Sequence, residues 1–381
     1  MAILSAIIGI SLILTVLWDA FETVILPRRV TRRFRLTRLF YRRTWSLWKK
    51  AADLLFSGKR REACLSFFGP ISLLLLLSMW AAVLVTGFAL LHWATGSALT
   101  TSVGPPGFFT DLYLSCTTFF TLGLGDVTPS TAVARVFVAI EAGLGLGFLA
   151  LIIGYLPALN QSFSRREVNI SLLDARAGSP PSAAEMLRRH SYDRGLDALR
   201  LLLHEWERWA AEFLESHLSY PVLAFFRSQH DNQSWLASLT VILDTCALIM
   251  AGLEGACERQ AELTFAMARH AVVDISQVFR AKPREPAHDR LPPETLAELR
   301  AALSAKGLKL REGSEADQKL ADLRRMYEPY IYSLSVYLRI AVPAWISPVS
   351  RMDNWQTSTW ERRSGVFRDI TSTGPELDEH F

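Results

Sequence analysis

The longest uninterrupted apolar run is residues 67–93, FFGPISLLLLLSMWAAVLVTGFALLHW, which contains no Asp, Glu, Lys or Arg. A helix needs about 20 such residues to cross roughly 30 Å of hydrocarbon, so this run predicts a membrane span. Residues 2–18 are likewise free of charge. With the residues up to Pro27 they reach spanning length and predict a first span over 1–27. They lack a basic start and a small-residue cleavage site, and a dense basic run follows them, unlike a signal peptide. A third span is predicted over 134–157, ARVFVAIEAGLGLGFLALIIGYLP. Between the second and third spans, residues 108–120 form an apolar stretch too short to cross. Thr121-Leu122-Gly123-Leu124-Gly125-Asp126 follows directly. A short helix leading into a glycine-alternating strand predicts a re-entrant loop, which lies at membrane depth only when buried in protein or lining a wet path.

The second half of the chain changes character. Residues 161–182 read as a linker, with Pro180 and Pro181 in a run of small residues from Ala175 to Ala184. Helical periodicity predicts a cytoplasmic helical domain over 183–345. Ser182 is placed to cap a helix starting near Ala183, with Leu187, Leu196, Leu199, Leu202, Trp206, Trp209 and Phe213 carrying the pattern towards Phe226. Further helices are predicted from Trp235 to about Arg259, over 260–280, over 295–309 and from about Glu315 to Val342. The polar tail 346–381 reads as flexible. Residues 235–252, WLASLTVILDTCALIMAG, leave two readings open: a buried bundle helix or a fourth span with Asp244 in its middle.

Composition fits a membrane part joined to a soluble part. Half of the 381 residues are hydrophobic and 20% are charged, against about 25% in an average soluble domain. Four cysteines exclude a disulfide-dense scaffold. The net charge of +4 conceals an asymmetry: residues 1–64 carry 13 Lys/Arg and 4 Asp/Glu. Residues 28–64 are predicted to be a basic cytoplasmic interfacial segment. Ten Lys/Arg and no acid occur in 28–50, interspersed with aromatic and leucine residues. That pattern suits an anionic lipid surface rather than nucleic acid. Asp19 and Glu22, near the end of the first span, are within reach of Arg28 and Arg29. The positive-inside bias places the N-terminus outside, 28–65 inside, 94–133 outside and everything after about 160 inside, as in a multi-pass plasma (inner) membrane protein. No phosphate-binding loop, dinucleotide fingerprint, metal-ligand spacing or catalytic grouping occurs, so the chain does not read as an enzyme.

Glycine at alternate positions has a backbone meaning. Carbonyls of successive residues point to one side only when every second residue adopts left-handed dihedrals, which Gly reaches without steric cost. Gly123 and Gly125 thus allow carbonyls from Thr121 to Leu124 to line an axis, with the Thr121 hydroxyl adding an oxygen. Rings of such oxygens replace the water shell of a cation. The helix 108–120 points its negative C-terminal end into the membrane, which favours the same charge.

This segment resembles the pore region of the two-span potassium channel family, whose signature is Thr-Val-Gly-Tyr-Gly-Asp between an outer and an inner helix. Thr121, Gly123, Gly125 and Asp126 match filter positions, Thr118 the pore-helix threonine and Pro129 the proline that follows. Leu122 and Leu124 replace Val and Tyr. The family's aromatic pair is here Tyr113 and Leu114, and an acid common behind the filter is Thr117. Leu124 has no phenol to donate, so packing of Leu122 and Leu124 against Phe119, Phe120, Tyr113 or a neighbouring subunit is expected to hold the loop. The resemblance implies an all-α membrane protein: a homotetrameric pore-loop cation channel fold over 65–160, with a cytoplasmic helical bundle for which no ligand or partner is indicated. K+ is the implied permeant ion, bound by the carbonyls of Thr121, Leu122, Gly123 and Leu124 and the Thr121 hydroxyl. Passive K+ conduction competes with weakly selective monovalent conduction and with a non-conducting signalling or scaffold role.

Gating candidates lie on the inner span. Gly143, Gly145 and Gly147 lower the cost of bending or allow close helix contact. The family's hinge glycine falls nearest Gly145. Glu141 is an intramembrane carboxylate placed either behind the filter or on a water-filled path. Pro157 is expected to end or kink the helix, with Tyr155, Leu156 and Leu159 at the inner mouth.

Overall fold

A computed structural model describes residues 2–26, 35–101, 106–229 and 232–347. The chain divides into two compact units, Met1–Gln161 and Ser162–Phe381. Almost every element is a helix, and among the described residues the strands are two three-residue segments.

In the first unit, α1 (Ala2–Ala20) closes in a π-helical turn, Phe21–Ile25, and packs along α4 (Phe68–Ala94). The two helices meet at glycines: a Cβ on Gly9 would lie 2.7 Å from the Gly87 carbonyl oxygen. Asp19 is buried at the far end of this contact. It accepts the Thr37 backbone N–H at 3.0 Å, the Thr37 hydroxyl and the Trp80 indole N–H at 3.1 Å. Glu22 accepts from Trp18 at 2.7 Å and pairs with Arg35 at 3.6 Å. These partners tie α1 to α2 (Leu36–Leu55) and α4. The expected Arg28 and Arg29 lie outside the described residues, as does 27–34 of the basic segment. On α2, Trp45 is buried with its ring 4.8 Å from that of Phe68. Leu47, Leu54 and Leu55 stay exposed among the basic residues. Helix α3 (Gly58–Ser66) leads into α4.

After α4, strand β1 (Leu99–Thr101) pairs antiparallel with β2 (Val127–Pro129), Leu99 opposite Pro129 and Thr101 opposite Val127. The ribbon brackets α5 (Phe108–Phe119) and the loop after it. Helix α6 then runs from Ala132 to Ala177. This corrects the sequence expectation in two places: Pro157 does not end the helix, and residues 161–177 are helical rather than linker. An interior proline costs about 3 kcal/mol. Burial of Arg166, Ile170, Leu173 and Ala177, one per turn, supplies the opposing packing energy within the second unit.

In that unit Ser182 caps α7 (Ala183–Arg189) by accepting the Glu185 N–H at 3.2 Å. The helix expected to run on to Phe226 breaks at 190–194, where Arg194 takes a left-handed conformation, and α8 (Gly195–Ser219) restarts. Pro221 opens a 3-10 turn, Pro221–Phe225. The Arg166 guanidinium donates to Glu167 at 2.9 Å and to the Leu223 and Phe226 carbonyls at 2.8 and 2.9 Å. His217 faces it at 3.4 Å. With the His217 Nδ1 bonded to the Phe213 carbonyl at 2.8 Å, the ring is neutral and Nε2 accepts from Arg166. Burial, then the Arg166 charge, holds His217 well below the usual histidine range.

Helix α9 (Trp235–Gly252) is buried at every residue from Trp235 to Ile249. Helices α10 (Glu258–Phe279), α12 (Ser314–Arg325) and α13 (Glu328–Leu338) pack on it, and α11 (Pro293–Ser304) packs on α7. Asp244, in the middle of α9, receives Arg290 at 2.6 Å and the Tyr327 hydroxyl at 2.5 Å. Arg290 also reaches Glu328 at 2.9 Å and the Pro343 carbonyl at 2.9 Å. Burial opposes the Arg290 charge, but facing Asp244, Tyr327 and Glu328 raise its affinity for the proton above the ordinary value. The helix expected over 315–342 is two helices. Pro329 has no N–H to bond the Arg325 carbonyl as a continuous helix requires, and the chain turns at Met326 and Tyr327. The tail beyond residue 347 lies outside the described residues.

Candidate functional site

Helix α5 starts at extended Gly107, and Asp111 in its first turn accepts the Ser97 hydroxyl at 2.6 Å. Its C-terminal carbonyls are taken up by the loop they launch. The Thr117 carbonyl accepts the N–H of Leu122 at 2.7 Å and of Gly123 at 3.3 Å, and the Thr118 carbonyl accepts that of Thr121 at 3.0 Å. The Thr117 hydroxyl turns back to the Leu114 carbonyl at 3.0 Å. The loop is therefore folded onto the end of its own helix.

Left-handed dihedrals fall on every second residue: Thr121 at φ +56°, Gly123 at +55° and Gly125 at +79°. Gly123 and Gly125 hold the conformation expected of them. Thr121 is a further member that residue type did not announce, since a β-branched residue there is a genuine outlier. Strain of this kind persists where surrounding structure enforces it, and it clusters at functional sites.

Leu122 and Leu124 are 61% and 64% exposed, and Phe120 is also exposed. Within one chain the two leucines are therefore left largely uncovered, while the Phe120 ring stands edge-on to Phe119 at 5.3 Å. The Tyr113 hydroxyl instead donates to Asp126 at 2.9 Å, fastening the outer end of the loop to α5. The phenol absent at Leu124 is thus supplied from the helix, a pairing across 13 residues that no local pattern signals.

Behind the loop, Phe119 is buried and its ring lies 5.6 Å from that of Phe148 on α6. A Cβ on Gly145 would stand 2.0 Å from the Phe119 carbonyl oxygen, whereas Gly143 and Gly147 have nothing within 4 Å. Gly145 is where α6 meets the end of α5. Glu141, one turn earlier, is fully buried with its carboxylate 3.9 Å from His92 on α4. Neither of its carboxylate oxygens has a hydrogen-bond partner within the chain. Tyr155 and Leu159 are buried within the chain, Leu156 is half-buried and Pro157 is exposed, so one chain does not bring the expected inner-mouth residues together. Among the described residues, no three His, Cys, Asp or Glu side chains are grouped to hold a metal ion.

Residues 74–161 match a family described as ion channel. The match runs from α4 through α5 and its loop to the end of the first unit. The membrane protein YdjJ of Bacillus subtilis (strain 168), itself described as uncharacterized, is 24% identical over 213 residues, 54% of this chain. The chain spans 60% of that relative's length. No solved structure matches. The chain is a multi-pass membrane protein with an all-α fold, and its residues 74–161 are similar to the ion channel family.

Proposed function

We propose that this protein is a potassium channel, a homotetramer in which four copies of the 121–126 loop surround one axis. The observation that carries this reading is the alternation of left-handed dihedrals at Thr121, Gly123 and Gly125. It sets the intervening carbonyls in a row, and a single row cannot enclose an ion. Exposed Leu122, Leu124 and Phe120, together with exposed Val136, Ile140, Leu146, Leu149 and Ile153 on α6, supply apolar surface for neighbouring copies and lipid. K+ passes down its gradient with no covalent step. The basic residues of 28–50 lie against anionic lipid at the cytoplasmic face, with the N-terminus outside and the second unit in the cytoplasm as a bundle with α9 at its core. Weakly selective monovalent conduction is the second reading. It is favoured by Leu124, whose side chain has no group to hydrogen-bond its own pore helix.

Potassium flux from liposomes holding the purified full chain tests the reading. Wild type is expected to release K+ and to retain Na+. Gly123→Ala is expected to reduce K+ flux to that of empty liposomes, because alanine at positive φ costs roughly 1–2 kcal/mol and turns the carbonyl off the axis. Undiminished K+ flux through Gly123→Ala would remove the loop from the conduction path. Equal Na+ and K+ release would favour the second reading.

A further inference from the structure

Three polar side chains from three different helices meet behind the pore helix: His92 of α4, Ser115 of α5 and Glu141 of α6. All three are fully buried. The His92 Nε2 lies 3.9 Å from a Glu141 carboxylate oxygen, too far for a hydrogen bond and close enough for strong Coulomb interaction. The Ser115 hydroxyl is directed at the same carboxyl but falls short of full hydrogen-bond geometry. Both His92 nitrogens, both Glu141 oxygens and the Ser115 oxygen are without partners. Five unpartnered polar atoms in a membrane-embedded core would cost several kcal/mol, and such groups are retained for function.

We propose that His92, Glu141 and Ser115 form an internal proton-binding site, and that its proton occupancy sets the position of the pore helix and so the conduction of the filter. This rests on the channel reading above. The carboxyl and imidazole share protons: one between them leaves the pocket neutral, while loss or gain of one leaves a net charge sealed from water. That change alters the spacing of α4, α5 and α6. The mechanical route is short. Glu141 lies one turn from Gly145, Ser115 one turn from Phe119, and Gly145 abuts the Phe119 carbonyl. Phe119 stands two residues before Thr121.

The other ionisable groups facing this pocket are few. Helix α5 adds Asp111, held by Ser97, and half-buried Cys116. Its Tyr113 is turned to Asp126. Within its span α4 adds none besides His92. On α6, Arg135 is directed at the Pro129 carbonyl. Asp19 of α1 is bonded to Thr37 of α2 and to Trp80, midway along α4 and twelve residues from His92.

The experiment measures K+ flux from liposomes holding the full chain over roughly pH 4 to 9, which spans ordinary carboxyl and imidazole values. Wild type is expected to show one step on the order of tenfold, the usual size of coupling between linked sites. Glu141→Gln and His92→Gln are each expected to abolish the step. A pH-independent wild type, or a step that survives both variants, overturns the proposal. Infrared difference spectra recorded across the same pH step need no conduction. A protonated-carboxyl C=O band is expected in wild type, absent in Glu141→Gln and moved in Ser115→Ala. Its absence from wild type overturns the proton site even where flux is normal. Its presence in a chain that passes no ion at any pH sustains the site while the channel reading fails.

Discussion

Thr121, Gly123 and Gly125 share one backbone conformation, but only the glycines adopt it without cost. Their alternation is visible as text. The Thr121 dihedral is not, because residue type argues against it and the hydrogen bonds of Thr117 and Thr118 impose it. Tyr113 and Asp126 were each identifiable, but their bond joins a helix to a loop and exists only once α5 and its loop have folded. Gly145 lends itself to a hinge or to a contact by spacing alone, and the Phe119 carbonyl makes it a contact. Gly145→Ala is therefore expected to destabilise the first unit by about 1–3 kcal/mol through overpacking against backbone. Gly143→Ala and Gly147→Ala, with open space at both, are expected to cost much less. Thermal unfolding of the three detergent-solubilised variants checks the order. Equal midpoints would mean that α6 does not press on the pore helix there.

Among elements, the spans were legible because each is a long apolar run with few charges, a signal independent of tertiary contacts. The β1–β2 ribbon was not: three residues per strand carry no measurable period. The passage of α6 through Pro157 was hidden for a different reason. A proline's cost is local, whereas the burial of Ile170, Leu173 and Ala177 that offsets it depends on what they pack against. Helix α9 shows the same limit. Its composition suits either a span or a core, and Arg290, 46 residues away, supplies the partner that Asp244 needs inside a bundle. Arg290→Met is expected to cost about 3–5 kcal/mol, since it leaves Asp244 buried without its counter-charge. Denaturant unfolding of the purified chain, followed by tryptophan fluorescence, measures it. An unchanged midpoint would mean that Asp244 does not depend on Arg290.

At the scale of the whole molecule, the apolar runs give the chain its class, but neither they nor the charge asymmetry fixes the ion or the number of copies. The match to the ion channel family ends at Gln161, where the first unit ends, so the second unit stands apart as a helical body whose ligand or partner the channel resemblance does not supply. Leu122 and Leu124 stay exposed in a single chain, and the proposed symmetric ring would cover them. A cryo-electron microscopy map of the full chain in lipid, prepared in K+, tests this most directly. The account predicts four copies about one axis, with Leu122 and Leu124 packed on neighbouring copies and ion density between facing carbonyls of residues 121–124. A monomer or dimer whose 121–126 loops do not face one another, with no density along an axis, would contradict it.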